Sequence, residues 1–124
     1  MSRPRKGEAW YAGYLRDRIR QIWGWHPERK KALRRARWPG PQQAGNERWK
    51  CERCGAGPLD KTQRDVDHRV PCESLDGWDG WGAFIARTLD VTADGLEVLC
   101  AGCHDPKSAA ENAQRRANKK RDTN

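Results

Sequence analysis

The sequence predicts a small α+β domain that is stabilised by a four-cysteine zinc site and preceded by a helical extension. Three observations lead to this prediction. Two C-x2-C pairs, Cys51/Cys54 and Cys100/Cys103, are separated by 45 residues. Helical periodicity occurs at both ends of the chain, and short strand-like runs lie between them. Only 35% of the 124 residues are hydrophobic while 34% are charged, so we expect one domain with a thin apolar core.

Two helices are predicted in the N-terminal extension, residues 1–46. Residues 8–23 place aromatic and aliphatic side chains at three- and four-residue spacings, which is typical of an amphipathic helix. A second helix, roughly 27–37, carries six basic residues in PERKKALRRAR. Like charges at this density repel unless a polyanion neutralises them, so phosphate contact is preferred over a merely solvated face. Residues 38–46, WPGPQQAGN, are predicted to be a linker because they contain two prolines and two glycines.

Two short strands are predicted to begin the metal-binding domain, residues 47–117. Residues 48–54, RWKCERC, are expected to form a strand that runs into a tight turn. RDVDHRVPC alternates as a second strand, with Val66 and Val70 as its apolar positions.

Helices are predicted to complete that domain. Residues 74–90 place Trp and Phe at helical spacing after a candidate N-cap, Asp79. ADGLEVLC then gives a turn and an apolar run, and CHDPKSAAENAQRRANKK gives a last helix. Residues 118–124 are predicted to be a basic disordered tail. Most of the seven Trp lie at helical or strand-end spacings, so we expect them in the core.

The four cysteines are predicted to bind a structural Zn²⁺. Zinc binds four thiolates tetrahedrally, each C-x2-C turn supplies two of them, and four thiolates leave no open position for catalysis. The chain has no apolar run that resembles a membrane span or signal core. We therefore expect a cytoplasmic protein with reduced thiols and no membrane partner. The fifth cysteine, Cys72, is interpreted as a small buried hydrophobic residue.

The charge is unevenly distributed along the chain. Residues 1–50 carry fourteen basic and four acidic side chains (net +10), residues 51–104 carry five and ten (net −5), and residues 105–124 carry six and three (net +3). Basic flanks around an acidic centre are what a protein acting on a phosphodiester would need. The alternative is that the termini are only solvated.

Three residues of the centre form a candidate catalytic group: Asp67, His68 and His104. The zinc frame brings Cys103, and with it His104, to the strand that carries the other two. Hydrolysis of a phosphodiester needs a cation and a base that activates water. Asp67 and His104 can supply two metal ligands. His68 alternates to the other side of the strand and is left free as the general base.

A resemblance to a known family follows from these motifs. C-x2-C, then VDH, then LEVLCAGCHDPKS, within residues 48–112, resembles the zinc-stabilised HNH endonucleases, whose core is the ββα-metal (HNH/His-Me finger) fold. The stretch WDGWGAFIARTLDVTADGLEVLCAGCH is similar to small free-standing HNH proteins of bacteriophages. The resemblance implies a DNA endonuclease with His68 as general base and one divalent ion, Mg²⁺ or Mn²⁺, held by Asp67 and His104. A phage setting would add other phage DNA-processing proteins as partners, and it leaves monomer and dimer open.

One position departs from the family pattern. Gly95 stands where the family has its middle Asn, which holds the loop that bears the base. We expect Gly95 to keep the backbone freedom of a turn, the adjacent Asp94 to offer a substitute acceptor, and the rate rather than the function to suffer.

Further basic residues are predicted to contact the substrate, double-stranded DNA. Lys107, three residues after His104, is expected to steady the reacting phosphate, and Arg69 is a second candidate beside the base. The predicted backbone contacts on the second helix are Lys30, Lys31, Arg34, Arg35 and Arg37. Two alternatives stay open: a zinc-stabilised DNA-binding module with little or no catalysis, and an RNA-directed protein.

Overall fold

A two-stranded antiparallel sheet, here called the hairpin, forms the centre of the fold and is surrounded by four helices. The computed structural model describes residues 7–42 and 46–122. The helices are α1 (Glu8–Trp23), α2 (Pro27–Arg35), α3 (Trp81–Leu89) and α4 (Ala101–Asp122), and the strands are β1 (Arg64–His68) and β2 (Leu96–Cys100). A single 3-10 turn, Ala93–Gly95, leads into β2. No helix in the described ranges is long and apolar enough to cross a bilayer.

The hairpin register places the acidic and basic candidates on opposite faces of β1. Asp67 pairs with Glu97, and His68 pairs with Leu96. Side chains alternate along a strand, so Asp67 faces α4 while His68 faces the N-terminal helices and α3. β2 continues directly into α4. The strand predicted around DVDHRV is present as β1, and its partner β2 lies where only a turn and an apolar run were expected.

Two small clusters of buried residues provide the core. One consists of Ala36, Trp49 and Val98 with Leu33 and Val66 packed against it. The other consists of Cys51, Leu59 and Leu99 with Cys100 and Cys103 packed against it. Three of the four metal-ligand candidates thus belong to the core itself. Phe84 and Leu96 are also fully buried and belong to neither cluster.

Arg35 attaches the N-terminal extension to the hairpin. Its guanidinium donates to both carboxylate oxygens of Glu52 at 2.7 Å and to the carbonyls of Ala93 and Leu96 at 2.8 Å. The Glu52 carboxylate also accepts from the amide of Val98 at 2.9 Å. A DNA contact by Arg35 would have to compete with these hydrogen bonds, and it stays a prediction.

The entry into α2 is held in a similar way by His26. Its Nδ1 accepts from the Glu28 amide at 3.0 Å and caps the helix, which leaves Nε2–H to donate to the Leu89 carbonyl at 2.7 Å. The Glu28 carboxylate accepts from the Ala93 amide at 3.0 Å. The start of α2 is therefore hydrogen-bonded to the last residue of α3 and to the first residue of the 3-10 turn.

Several local expectations are wrong. Residues 48–54 form no regular strand, because Trp49 makes only isolated bridges to Arg37 and Leu59. Val70 is 65% exposed rather than buried. The residue that caps α3 is Gly80, and Asp79 instead forms an ion pair with Arg87.

The expected disordered tail is also wrong for the residues described. α4 extends to Asp122, and Asn118 is buried because its amide donates to the Leu75 carbonyl and to Asp76. Residues 123–124, and residues 43–45 of the expected linker, lie outside the described ranges. Trp10, Trp25 and Trp78 are 49%, 73% and 47% exposed, so the tryptophans are not uniformly core residues.

Replacing Arg35 by Ala is expected to destabilise the protein by about 2 kcal/mol, because the Glu52 carboxylate and two main-chain carbonyls lose their donor. Urea unfolding of the zinc-loaded protein measures the change. Arg34→Ala, one residue away on the exposed side of α2, is the matched control and should change stability by less than about 0.5 kcal/mol. Equal losses for the two variants would contradict the anchoring role.

Candidate functional site

Four cysteines converge at one end of the hairpin. The thiol sulfurs of Cys51, Cys54, Cys100 and Cys103 all lie within 4.8 Å of one another. The sulfurs of Cys54 and Cys100 are 3.7 Å apart, and a tetrahedron with zinc–sulfur bonds of about 2.3 Å has sulfur–sulfur edges of about 3.8 Å. The residues present therefore fit a tetrahedral zinc ion. The cluster confirms the predicted metal-binding capacity of the four cysteines.

The electrostatics of the cluster also favour a bound cation. Burial raises the pKa of the Cys51 thiol, but backbone amides of Cys54, Cys100 and Arg53 donate to its sulfur and lower the pKa to about 6. The neighbouring thiols Cys51 and Cys54 raise the pKa of Cys103 to about 12. A site in which one thiol ionises easily and another strongly resists needs a divalent cation before all four can be thiolates.

We expect one zinc ion per chain, bound by these four thiols and released with loss of the fold. Cys103→Ser should lose the zinc and most of the cooperative unfolding transition, because binding free energy is folding free energy in such sites. Elemental analysis and thermal unfolding with and without chelator measure both effects.

Cys72→Ser is the matched control, since Cys72 lies outside the cluster and should leave the zinc content unchanged. Full zinc content in Cys103→Ser would contradict the assignment.

Asp67 and His68 line a cleft at the end of β1. The cleft has a volume of about 280 Å³, and its walls come from α1, from the segment after β1, and from α4. Beside these two residues it is lined by Arg20, Pro71, Cys72, Glu73, Glu111, Asn112 and Arg115. Two consecutive residues of one strand reach the same cleft because it lies where β1 ends.

The ring of His68 is fixed from two sides. Nε2 lies 2.9 Å from the Thr88 carbonyl, so it carries the proton and donates, and Nδ1 is left as the basic nitrogen. The ring of Trp23 lies 4.4 Å from the imidazole, centre to centre. Burial lowers the pKa of His68, against the opposing effects of the Thr88 hydrogen bond and the Asp67 charge. The fold therefore favours a neutral imidazole.

Asp67 is paired with Lys107. The ammonium of Lys107 lies 2.8 Å from Asp67 Oδ2 and 2.8 Å from Glu111 Oε2, and it donates to the His68 carbonyl at 3.2 Å. Oδ2 of Asp67 is enclosed by protein and has no well-aligned hydrogen-bond donor among the described residues, so the Lys107 contact is an ion pair. The Lys107 side chain is only 10% exposed. The phosphate contact expected for it requires these ion pairs to open.

His104 lies in the first turn of α4, as the zinc frame predicted. Its Nδ1 is 3.9 Å from an oxygen of Asp65 and 3.5 Å from one of Asp105. Asp65 shares the α4-facing side of β1 with Asp67. The structure thus brings His104 and Asp67 to one face, but each has another close partner. Among the described residues, only the four cysteines form a group of three or more ligands within 4.8 Å.

The basic residues predicted to contact DNA fall into two groups: those already paired with acidic or carbonyl groups of the protein, and those exposed to solvent. Arg69 donates to the Asp94 carbonyl at 3.0 Å and forms an ion pair with Glu97 at 3.4 Å, so, like Arg35, it holds the fold. Lys31 pairs with Glu28 at 3.0 Å. The remaining predicted contacts are exposed on or just after α2: Lys30, Arg34 and Arg37.

Sequence reasoning missed the residues that orient the candidate base. Trp23 and Thr88 contact His68 from helices 20 or more residues away in sequence. Glu111 was also missed, although its position four residues after Lys107 on one helix is a recognisable ion-pair spacing.

The His68 imidazole is expected to titrate below the value of about 6.5 typical of a free imidazole. Between the lowered pKa and about 6.5, the unfolded chain binds this proton more readily than the folded protein does. The contribution of His68 to the stability of the fold therefore increases as the pH rises through that window and is lost below it. Following its ring signals by NMR against pH measures the midpoint. Trp23→Ala, which exposes the ring, should raise the midpoint, and a wild-type midpoint at or above 6.5 would contradict the prediction.

Comparisons with known proteins found no relative of this chain. No protein-family model, curated protein or solved structure matches the chain. What can be concluded about the site therefore depends on its own residues.

Proposed function

We propose that the protein is a metal-dependent endonuclease that hydrolyses phosphodiester bonds of double-stranded DNA, nicking or cutting both strands. The observation that carries the proposal is the cleft at the end of β1, where Asp67 and a neutral, oriented His68 lie side by side. Arg20 and Arg115 lie on its walls. A base, a carboxylate ligand and nearby cations are the groups that phosphodiester hydrolysis requires.

His68 is assigned the role of general base. With Nε2–H donating to the Thr88 carbonyl, Nδ1 is the nitrogen that accepts a proton from the attacking water. The lowered pKa keeps the imidazole unprotonated near neutral pH, which is the form a base needs. Trp23 restricts the ring so that little rotational freedom is lost on reaction.

Asp67 and His104 are assigned to a divalent ion, Mg²⁺ or Mn²⁺. The donor set fits such an ion in its chemistry, since the enclosed Oδ2 of Asp67 has lone pairs without an aligned donor. When bound, the ion would stabilise the charge that develops on the phosphate and on the leaving oxygen. Without the ion, Lys107 offsets part of the charge of Asp67 and Glu111, and its ammonium donates to the His68 carbonyl.

The segment that carries the base is held by main-chain groups where HNH proteins use an Asn side chain. The carbonyl of Gly95 accepts from the Arg69 amide at 2.9 Å, and that of Asp94 accepts from the Arg69 side chain at 3.0 Å. Gly95 does not have a positive φ. A Cβ there would lie 2.9 Å from a side-chain methyl of Val91, so a larger residue would require the Val91 side chain to shift. The acceptor expected from Asp94 is thus supplied by its backbone.

A DNA-binding module with little or no catalysis is the second candidate. The Lys107–Asp67 ion pair favours it, because an ammonium occupies the carboxylate that a metal would need. The arginines of the cleft and the exposed cations of α2 would serve such a module equally well.

Conversion of supercoiled plasmid to open-circle or linear form tests the proposal. The zinc-loaded protein should cut with Mg²⁺ or Mn²⁺, and His68→Ala should reduce the rate by about 10²- to 10⁴-fold because a general base is lost. Asp67→Asn should reduce it through loss of the metal ligand.

The matched control is Asp60→Asn, the same chemical change in an exposed turn, where the carboxamide oxygen can still accept from Thr62. It should cut at the wild-type rate. Wild-type protein that binds the plasmid but does not cut it with either ion would leave the binding module as the function.

A further inference from the structure

Two arginines meet on the face of the hairpin opposite Asp67. Arg64 is the first residue of β1 and shares the side of the strand that holds Val66 and His68. Arg29 lies in the first turns of α2, which packs against β1. Both residues are half-buried. Neither was predicted to contact substrate, and neither has a role in the cleft.

Arg64 is held in a defined orientation. Its guanidinium lies over the ring of Trp49, 4.2 Å from the ring centre. Trp49 is itself 8% exposed and belongs to the core, so the platform is rigid. Nε of Arg64 is enclosed by protein and has no hydrogen-bond partner among the described residues. An enclosed N–H donor without an acceptor costs free energy, so such groups are normally paired.

The two guanidinium groups lack a close counter-charge. Within the described part of the chain, no carboxylate lies within 4.0 Å of either one. Asp65 and Glu47 attract Arg64 only at longer range, and Arg29 repels it. Burial lowers the pKa of both arginines, and that repulsion lowers the pKa of Arg64 further. The fold thus keeps two like charges together, partly desolvated, without neutralising them.

We infer that Arg29 and Arg64 form a binding site for one backbone phosphate of duplex DNA. A phosphodiester accepts hydrogen bonds from the terminal nitrogens of a guanidinium and carries the charge that this pair lacks, whereas the enclosed Nε–H of Arg64 is reached only if the neighbouring side chains move. The site rests on the proposed function for the identity of the polymer, but not for the presence of an anion.

A polymer fits better than a free anion because the cations continue along α2. Lys30 and Arg34 are exposed one turn apart, and Arg37 is exposed just beyond the helix end. A single phosphate ion would reach the arginine pair alone, whereas a DNA backbone presents a series of phosphates that can also contact the exposed cations of α2.

The inference is tested directly by the Nε–Hε signal of Arg64 in NMR spectra of zinc-loaded His68→Ala protein, which should not cut its ligand. Addition of a short duplex should shift this signal at concentrations where inorganic phosphate has little effect. A shift with inorganic phosphate alone, or no shift with either, would overturn the duplex site.

Binding of a labelled duplex across a range of salt concentrations gives a second test in the same background. Arg64→Gln and Arg29→Gln should each weaken binding several-fold and reduce the dependence of log K on log salt by about 1. Arg18→Gln, the same change on the exposed side of α1, is the matched control and should do neither. Arg64→Lys, which keeps the charge without the planar fork, should retain the salt slope but not the full affinity.

These outcomes separate the inference from the proposed function. Wild-type cleavage together with an Arg64→Gln variant that matches Arg18→Gln would remove the phosphate site and leave the nuclease. Duplex binding that depends on both arginines, without cleavage by wild-type protein, would support the site and leave the DNA-binding module as its setting.

Discussion

Cys51 and Cys54 in one turn, and Cys100 and Cys103 at the junction of β2 and α4, bring four sulfurs within 4.8 Å of one another. This convergence fixes the start of α4 against the hairpin, and through it the direction in which α4 passes Asp67. Two of these cysteines are also packed against the buried cluster of Cys51, Leu59 and Leu99. A metal there replaces the apolar contacts that a chain of 35% hydrophobic residues cannot supply.

The N-terminal extension is part of the same structure. Arg35 and Glu52 join α2 to the metal-binding turn and to β2, and His26 joins the start of α2 to the end of α3. With these contacts in place, Trp23 lies against His68. The candidate base is consequently enclosed by elements from both halves of the chain, which accounts for the lowered pKa of its imidazole.

Charge is divided between the two faces of β1. On the α4 side, the ammonium of Lys107 lies between the carboxylates of Asp67 and Glu111. A divalent cation could take the place of this ammonium, because it is also positively charged. On the α2 side, Arg29 repels Arg64, and the carboxylates of Asp65 and Glu47 act on Arg64 only at longer range. Acidic and basic side chains thus lie on opposite sides of one strand.

The sequence by itself determined the elements that depend on local pattern. The helices at both ends, the strand around DVDHRV and the metal-binding capacity of the C-x2-C pairs follow from periodicity and ligand spacing. Gly95 was recognised as a departure, but its reason is the closeness of Val91, which no local pattern contains. Tertiary structure alone decided which cations are paired: Arg35 and Lys107 meet carboxylates of other elements, whereas no such ion pair forms at Arg29 or Arg64 within the described part of the chain. Spacing along a chain specifies the face of an element, but only packing specifies which opposite charge that face meets.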